Sequence, residues 1–133
     1  YMSQLLVVDA SVVVDLLARF RPQPIEDLLW APGVVLAAPE LMELEALQAL
    51  RKLDSAGAIP PSRSRELMRD LRGLRIRKFG HASLLDSIWA LRHNVSACDA
   101  TYVALARLLG ATLVTRDTRL AHAPGLLVPV ITP

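Results

Sequence analysis

Four acidic residues stand where their carboxylates could do chemistry together: Asp9 in LLVVDAS, Glu45 in LMELEALQAL, Asp99 in SACDATYVALA and Asp117 in TLVTRDTRLA. Asp9 and Asp117 each close a run of leucine and β-branched residues that reads as a buried strand, and open α/β sheets bind ligands outside the carboxyl ends of their strands. Taken singly, Asp9, Asp99 and Asp117 each have a structural explanation, because capping and the helix dipole favour aspartate where a helix begins. Glu45 falls inside a helix and has no basic residue at i±3 or i±4. Glu43 shares that lack, so periodicity does not choose between the two. Taken together, several carboxylates in one pocket repel one another and raise one another's pKa, a strain that a divalent cation relieves. An all-oxygen donor set points to Mg²⁺ or Mn²⁺ rather than zinc. His81, His93 and His122 show no paired ligand spacing and read as surface or second-layer residues.

The elements that must position these acids follow from the pattern of apolar residues. A strand is predicted over 4–8, with a helix starting at Asp9 or Ala10, and Pro22 and Pro24 are expected to break the chain. A short helix over 25–30 then leads to a buried strand over 34–38. The Leu- and Ala-rich stretch 40–56 predicts a long helix after Pro39, ended by Gly57. A further helix is predicted over 61–71, and 74–79 reads as an edge strand or a loop because of its charge. Helical periodicity returns over 81–92. Ser96 followed by Asp99 resembles a capping arrangement for a helix that runs to Gly110. The last two strands are expected over 111–114 and 126–131. Strands alternating with helices imply a parallel sheet covered on both faces, in which the first and fourth strands are neighbours.

A chain of 133 residues, 53% of them hydrophobic, has room for one domain with a proper core, and a single domain over 1–133 is expected. Asp9 and Asp15 interrupt the apolar opening, so it reads as neither a membrane span nor a signal sequence, and a cytoplasmic location is expected. Cys98 is the only cysteine, which excludes an internal disulfide and any paired-cysteine metal motif. Net charge is +2, but Arg63, Arg65, Arg69, Arg72, Arg75, Arg77 and Lys78 crowd one segment against only Glu66 and Asp70. Arg65, Arg69 and Arg72 fall at i, i+4 and i+7, one face of a helix that could follow a phosphate backbone or simply be solvated.

VVDAS, the Pro39-led helix with LEALQALR, SACDATYVALA and LVTRD occur in an order that resembles the PIN domain, and within it the toxin ribonucleases of bacterial VapBC toxin–antitoxin pairs. The resemblance spans nearly the whole chain and selects Glu45 over Glu43, because the family places its acid shortly before an apolar-Ala-Leu-Arg stretch, here 47–51. It implies a PIN-like three-layer α/β sandwich, with a central parallel sheet of about five strands and helices on both faces. The implied activity is Mg²⁺- or Mn²⁺-dependent endonucleolytic cleavage of RNA by Asp9, Glu45, Asp99 and Asp117. Asp9 and Asp99 are the first choice as direct ligands. Ser11 and Thr115 are expected to orient carboxylates or water, and Arg116 joins the basic cluster as a candidate for holding RNA. A VapB-type antitoxin and a homodimer follow from the resemblance alone.

Other classes fit less well. A receiver domain would need a lysine near the end of the last strand, and 126–133 has none; a haloacid-dehalogenase-type phosphatase would need an aspartate at position 11, where Ser11 stands. No GxGxxG, P-loop or GxSxG pattern occurs. The remaining alternatives are a PIN-domain RNA-processing nuclease outside any toxin–antitoxin pair, and a non-catalytic module that binds a partner.

Overall fold

The structure is a computed structural model that describes residues 3–18 and 22–133. In chain order its elements are β1 (Gln4–Val8), α1 (Ala10–Ala18), α2 (Pro22–Leu29), β2 (Val34–Pro39), α3 (Leu41–Ser55), α4 (Pro61–Ser64), α5 (Leu67–Gly73) and β3 (Ile76–Phe79). A 3₁₀ turn (Ala82–Leu84) precedes α6 (Leu85–Ala90), α7 (Ala97–Leu109), β4 (Thr112–Val114), α8 (Thr118–Ala121) and β5 (Val130–Ile131). The five strands form one parallel sheet in the order β3-β2-β1-β4-β5, with β1 at its centre.

Leu6, Val7 and Val8 are all fully buried although successive side chains of a strand point to opposite faces, so both faces of β1 are covered. Before β3, α1 packs against α2, α3 and α5, whereas α7 packs against β1, β2 and α6. Val8 pairs with Val114, as the expected adjacency of the first and fourth strands requires. Among the described residues no helix is long and apolar enough to cross a membrane.

Several expected boundaries shift for physical reasons. The helix expected from Ile25 begins at Pro22: in the first turn of a helix a proline loses no hydrogen bond, so Pro22 and Pro24 start α2 rather than break the chain. The last strand shrinks from 126–131 to two residues. Leu127 takes a left-handed backbone (φ 56°) and Pro129 has no N–H to give a ladder, so extended structure resumes only at Val130. The helix expected over 81–92 retains only the 3₁₀ turn and six residues of α6.

The basic segment departs most from expectation. A turn at Arg65 and Glu66 separates α4 from α5, so Arg65 shares no helix with Arg69 and Arg72. Beside that break Arg63 donates from Nε and Nη2 to the Leu17 carbonyl at 3.0 and 2.7 Å, and from Nη1 to Glu66 at 3.2 Å and to Asp70. The Leu17 carbonyl lies in the last described turn of α1, and Arg63 ties α4 to it. Arg63→Ala is expected to lower unfolding free energy by about 2–3 kcal/mol, read from urea denaturation midpoints. A loss below about 0.5 kcal/mol would show that the clamp is peripheral.

Candidate active site

β1 ends at Val8, and the next residue, Asp9, is still bonded to the neighbouring strand, its N–H donating to the Val114 carbonyl at 3.1 Å. Its carboxylate is 6% exposed and accepts from three sides: from Ser11 Oγ at 2.5 Å, from the Val12 N–H at 3.3 Å, and from Thr115 Oγ1. Both hydroxyls are themselves oriented by the turn after β4. Ser11 Oγ accepts from the Arg116 N–H at 3.0 Å and Thr115 Oγ1 from the Asp117 N–H at 3.0 Å, which leaves each hydroxyl hydrogen for Asp9. Burial nonetheless raises the Asp9 carboxyl above its ordinary value, against the pull of these bonds.

Glu45 approaches from α3 and accepts a 2.5 Å hydrogen bond at Oε1 from the Tyr102 hydroxyl of α7. Burial raises its pKa, Tyr102 opposes the shift, and repulsion from Asp99 and Asp9 adds to it. Glu43, the alternative the periodicity left open, pairs with Lys78 of β3 at 3.3 Å. Asp99 lies in the first turn of α7, where Ser96 rather than Asp99 is the cap, accepting from the Asp99 N–H at 3.1 Å. Burial raises the Asp99 carboxyl and Asp117 repels it, while Ser96 and Arg119 pull the other way. Asp117 caps α8, its Oδ1 accepting from the N–H groups of Arg119 and Leu120 at 2.9 and 3.3 Å. Capping and clustering therefore coexist at this residue.

Asp99 and Asp117 line a cavity of about 290 Å³ together with Asn94, Ser96, Arg119 and Leu120. A larger hollow of about 790 Å³ lies at the other end of the strands, among Trp30, Val34, Leu36, Arg69, Leu74 and Arg75. It is remote from the acids, which makes the smaller cavity the one of chemical interest.

A PIN-domain model matches residues 6–126. The chain belongs to the PIN-domain family. Ribonuclease VapC1 of Mycobacterium tuberculosis is 39% identical over 121 residues, covering 90% of this chain and 91% of that protein. Two solved structures share the fold: VapBC2 from Rickettsia felis, bound to a DNA fragment from its promoter (TM-score 0.71, 14% identity, 96% and 98% of the two chains), and a toxin–antitoxin complex from Klebsiella pneumoniae (TM-score 0.68, 19% identity, 96% of each).

Within this PIN domain, repulsion and hydrogen bonding link the four predicted acids in one series: Tyr102 holds Glu45, Glu45 repels Asp9 and Asp99, and Asp99 repels Asp117. Among the described residues no three His, Cys, Asp or Glu side chains stand together as a group that could hold a metal ion. The donors nevertheless fit a hard cation, being carboxylates whose mutual repulsion such an ion would relieve. The basic residues named from sequence fall elsewhere. Arg116 is bound at 2.5 Å to Asp15 and at 3.0 Å to the Pro133 carbonyl, which commits its guanidinium to joining α1 with the segment after β5. Arg69 lines the remote hollow, and Arg65 and Arg72 are exposed on the same segment. The sequence reading passed over Arg119, whose side chain is 91% exposed over the acidic cavity with Nε 3.9 Å from Asp117. Its place two residues after Asp117 was the available signal.

The raised Glu45 pKa carries a sign that can be checked. An acid bound more tightly to its proton in the folded state contributes stability below its ordinary value, near 4.5, and loses that contribution as pH rises through the folded value. Glu45→Gln removes the loss. In metal-free buffer it should match the parent at pH 4 and melt roughly 1–4 °C higher at pH 8, by calorimetry. A variant that melts lower at pH 8 would mean that the Tyr102 bond outweighs burial and repulsion together.

Proposed function

We propose that this protein is the toxin of a type II toxin–antitoxin pair, an endoribonuclease that cuts RNA with Mg²⁺ or Mn²⁺ at Asp9, Glu45, Asp99 and Asp117. The observation that carries the reading is the series of four carboxylates, brought by β1, α3, α7 and the turn after β4 to one edge of a PIN-domain sheet. The 39% identity to a protein named a ribonuclease supports the RNA-cleaving activity. The structural neighbours, a toxin–antitoxin complex and VapBC2, support an antitoxin partner, of VapB type. A homodimer is part of the same proposal, on the resemblance alone.

Asp9 and Asp99 would hold the cation, with Glu45 and Asp117 completing the site directly or through water. A bound divalent ion would reverse the repulsion between an acidic pocket and a polyanion, activate water and stabilise charge on the phosphoryl oxygens. The chain's own residues do the rest. Ser11 and Thr115 fix the Asp9 carboxylate by donating to its two oxygens, so that it needs little rearrangement to bind an ion. Arg119, exposed over the cavity, meets a phosphate of the incoming strand, a role that Arg116 is too committed to fill.

Purified protein should cleave RNA only with added Mg²⁺ or Mn²⁺ and lose activity in excess EDTA. Asp99→Asn should lower the rate at least about a hundredfold while leaving the far-ultraviolet circular dichroism unchanged. Cleavage that persists in chelator would refute the metal-dependent reading. Expression without a partner should arrest growth, and Asp99→Asn should relieve the arrest; growth arrest by the variant would place the harm outside the acidic pocket.

A further inference from the structure

Tyr102 is a core residue with one polar atom, and the neighbours of that atom belong to the site. The side chain is 1% exposed, among Val103, Leu105 and Ala106 of α7, where a phenylalanine would fill almost the same space. Its hydroxyl donates at 2.5 Å to Glu45 Oε1, 57 positions away in the chain, and it also meets the backbone N–H of Ala10, the residue after Asp9. One buried oxygen thus joins α7, α3 and the start of α1, the elements that carry or adjoin Asp99, Glu45 and Asp9. Glu45 has more rotatable bonds than the aspartates and begins from mid-helix, so it depends most on an external anchor.

We propose that Tyr102 is a positioning residue, whose buried hydroxyl fixes the Glu45 carboxylate relative to Asp9 in the orientation in which the site receives its divalent cation. The inference rests on the metal-dependent reading above and goes beyond it by assigning a role to a residue that touches neither metal nor RNA.

The test titrates Mn²⁺ alone, without RNA, into the parent, Tyr102→Phe, Glu45→Ala and the double variant, reading free Mn²⁺ by electron paramagnetic resonance. Tyr102→Phe should weaken Mn²⁺ binding roughly tenfold. In the Glu45→Ala background the same change should have little further effect, because the hydroxyl would have no carboxylate to hold. Mn²⁺ binding by Tyr102→Phe as tight as the parent's, or an equal weakening in both backgrounds, would overturn the proposal while leaving the metal-dependent reading intact. A parent that binds no Mn²⁺ would overturn both. A measurement on the unmodified protein covers the case in which Tyr102→Phe does not fold: the Tyr102 hydroxyl proton should give a slowly exchanging nuclear magnetic resonance signal coupled to the Glu45 carboxyl carbon, and exchange at the solvent rate would overturn the proposal.

Discussion

The Asp9 N–H donates to the Val114 carbonyl at 3.1 Å, one step beyond the last paired residues of β1 and β4, and the geometry of the acidic site depends on that rung. It sets Asp9 beside the turn 115–117, so that Ser11 and Thr115 can each take an N–H from the turn and give a hydrogen to the same carboxylate. A buried acid without such donors would lie still further from its charged form. The bonds do not cancel the effect of burial, and Asp9 stays raised. The fold therefore keeps buried a carboxylate that water would stabilise better, with both of its oxygens held by hydroxyl donors.

Much of this was legible in the sequence because it depends on local pattern. The apolar runs that end at Val8 and Val114 announce strands, and the acids that follow them need no long-range information to be placed on one sheet edge. Ser96 and Gly110 likewise mark the two ends of α7, the serine by accepting from the Asp99 N–H and the glycine by adopting the left-handed backbone of a helix terminus.

What was not legible depends on partners distant in sequence. Periodicity does not separate Glu43 from Glu45, which only the family resemblance told apart; in the structure they meet different partners, Lys78 at a separation of 35 residues and Tyr102 at 57. Tyr102 itself reads as one more apolar residue of a buried face, since nothing local reveals where its hydroxyl will end. The basic segment misled for a related reason. Its spacing suits a continuous helix, but Arg63 is drawn to the Leu17 carbonyl at a separation of 46 residues, and the chain turns at Arg65 and Glu66.

The two outer strands have a consequence for how the molecule behaves in a crowd of its own copies. A sheet with open margins is a template on which further strands can be laid. Here β5 offers two residues, preceded by a proline and by Leu127 in a left-handed turn, and β3 offers four, with Arg77 and Lys78 exposed at its centre. One margin is too short to pair and the other is four residues long with charged side chains at its centre. A sheet whose central strand is mostly apolar thus offers little margin for growing sideways into a fibre.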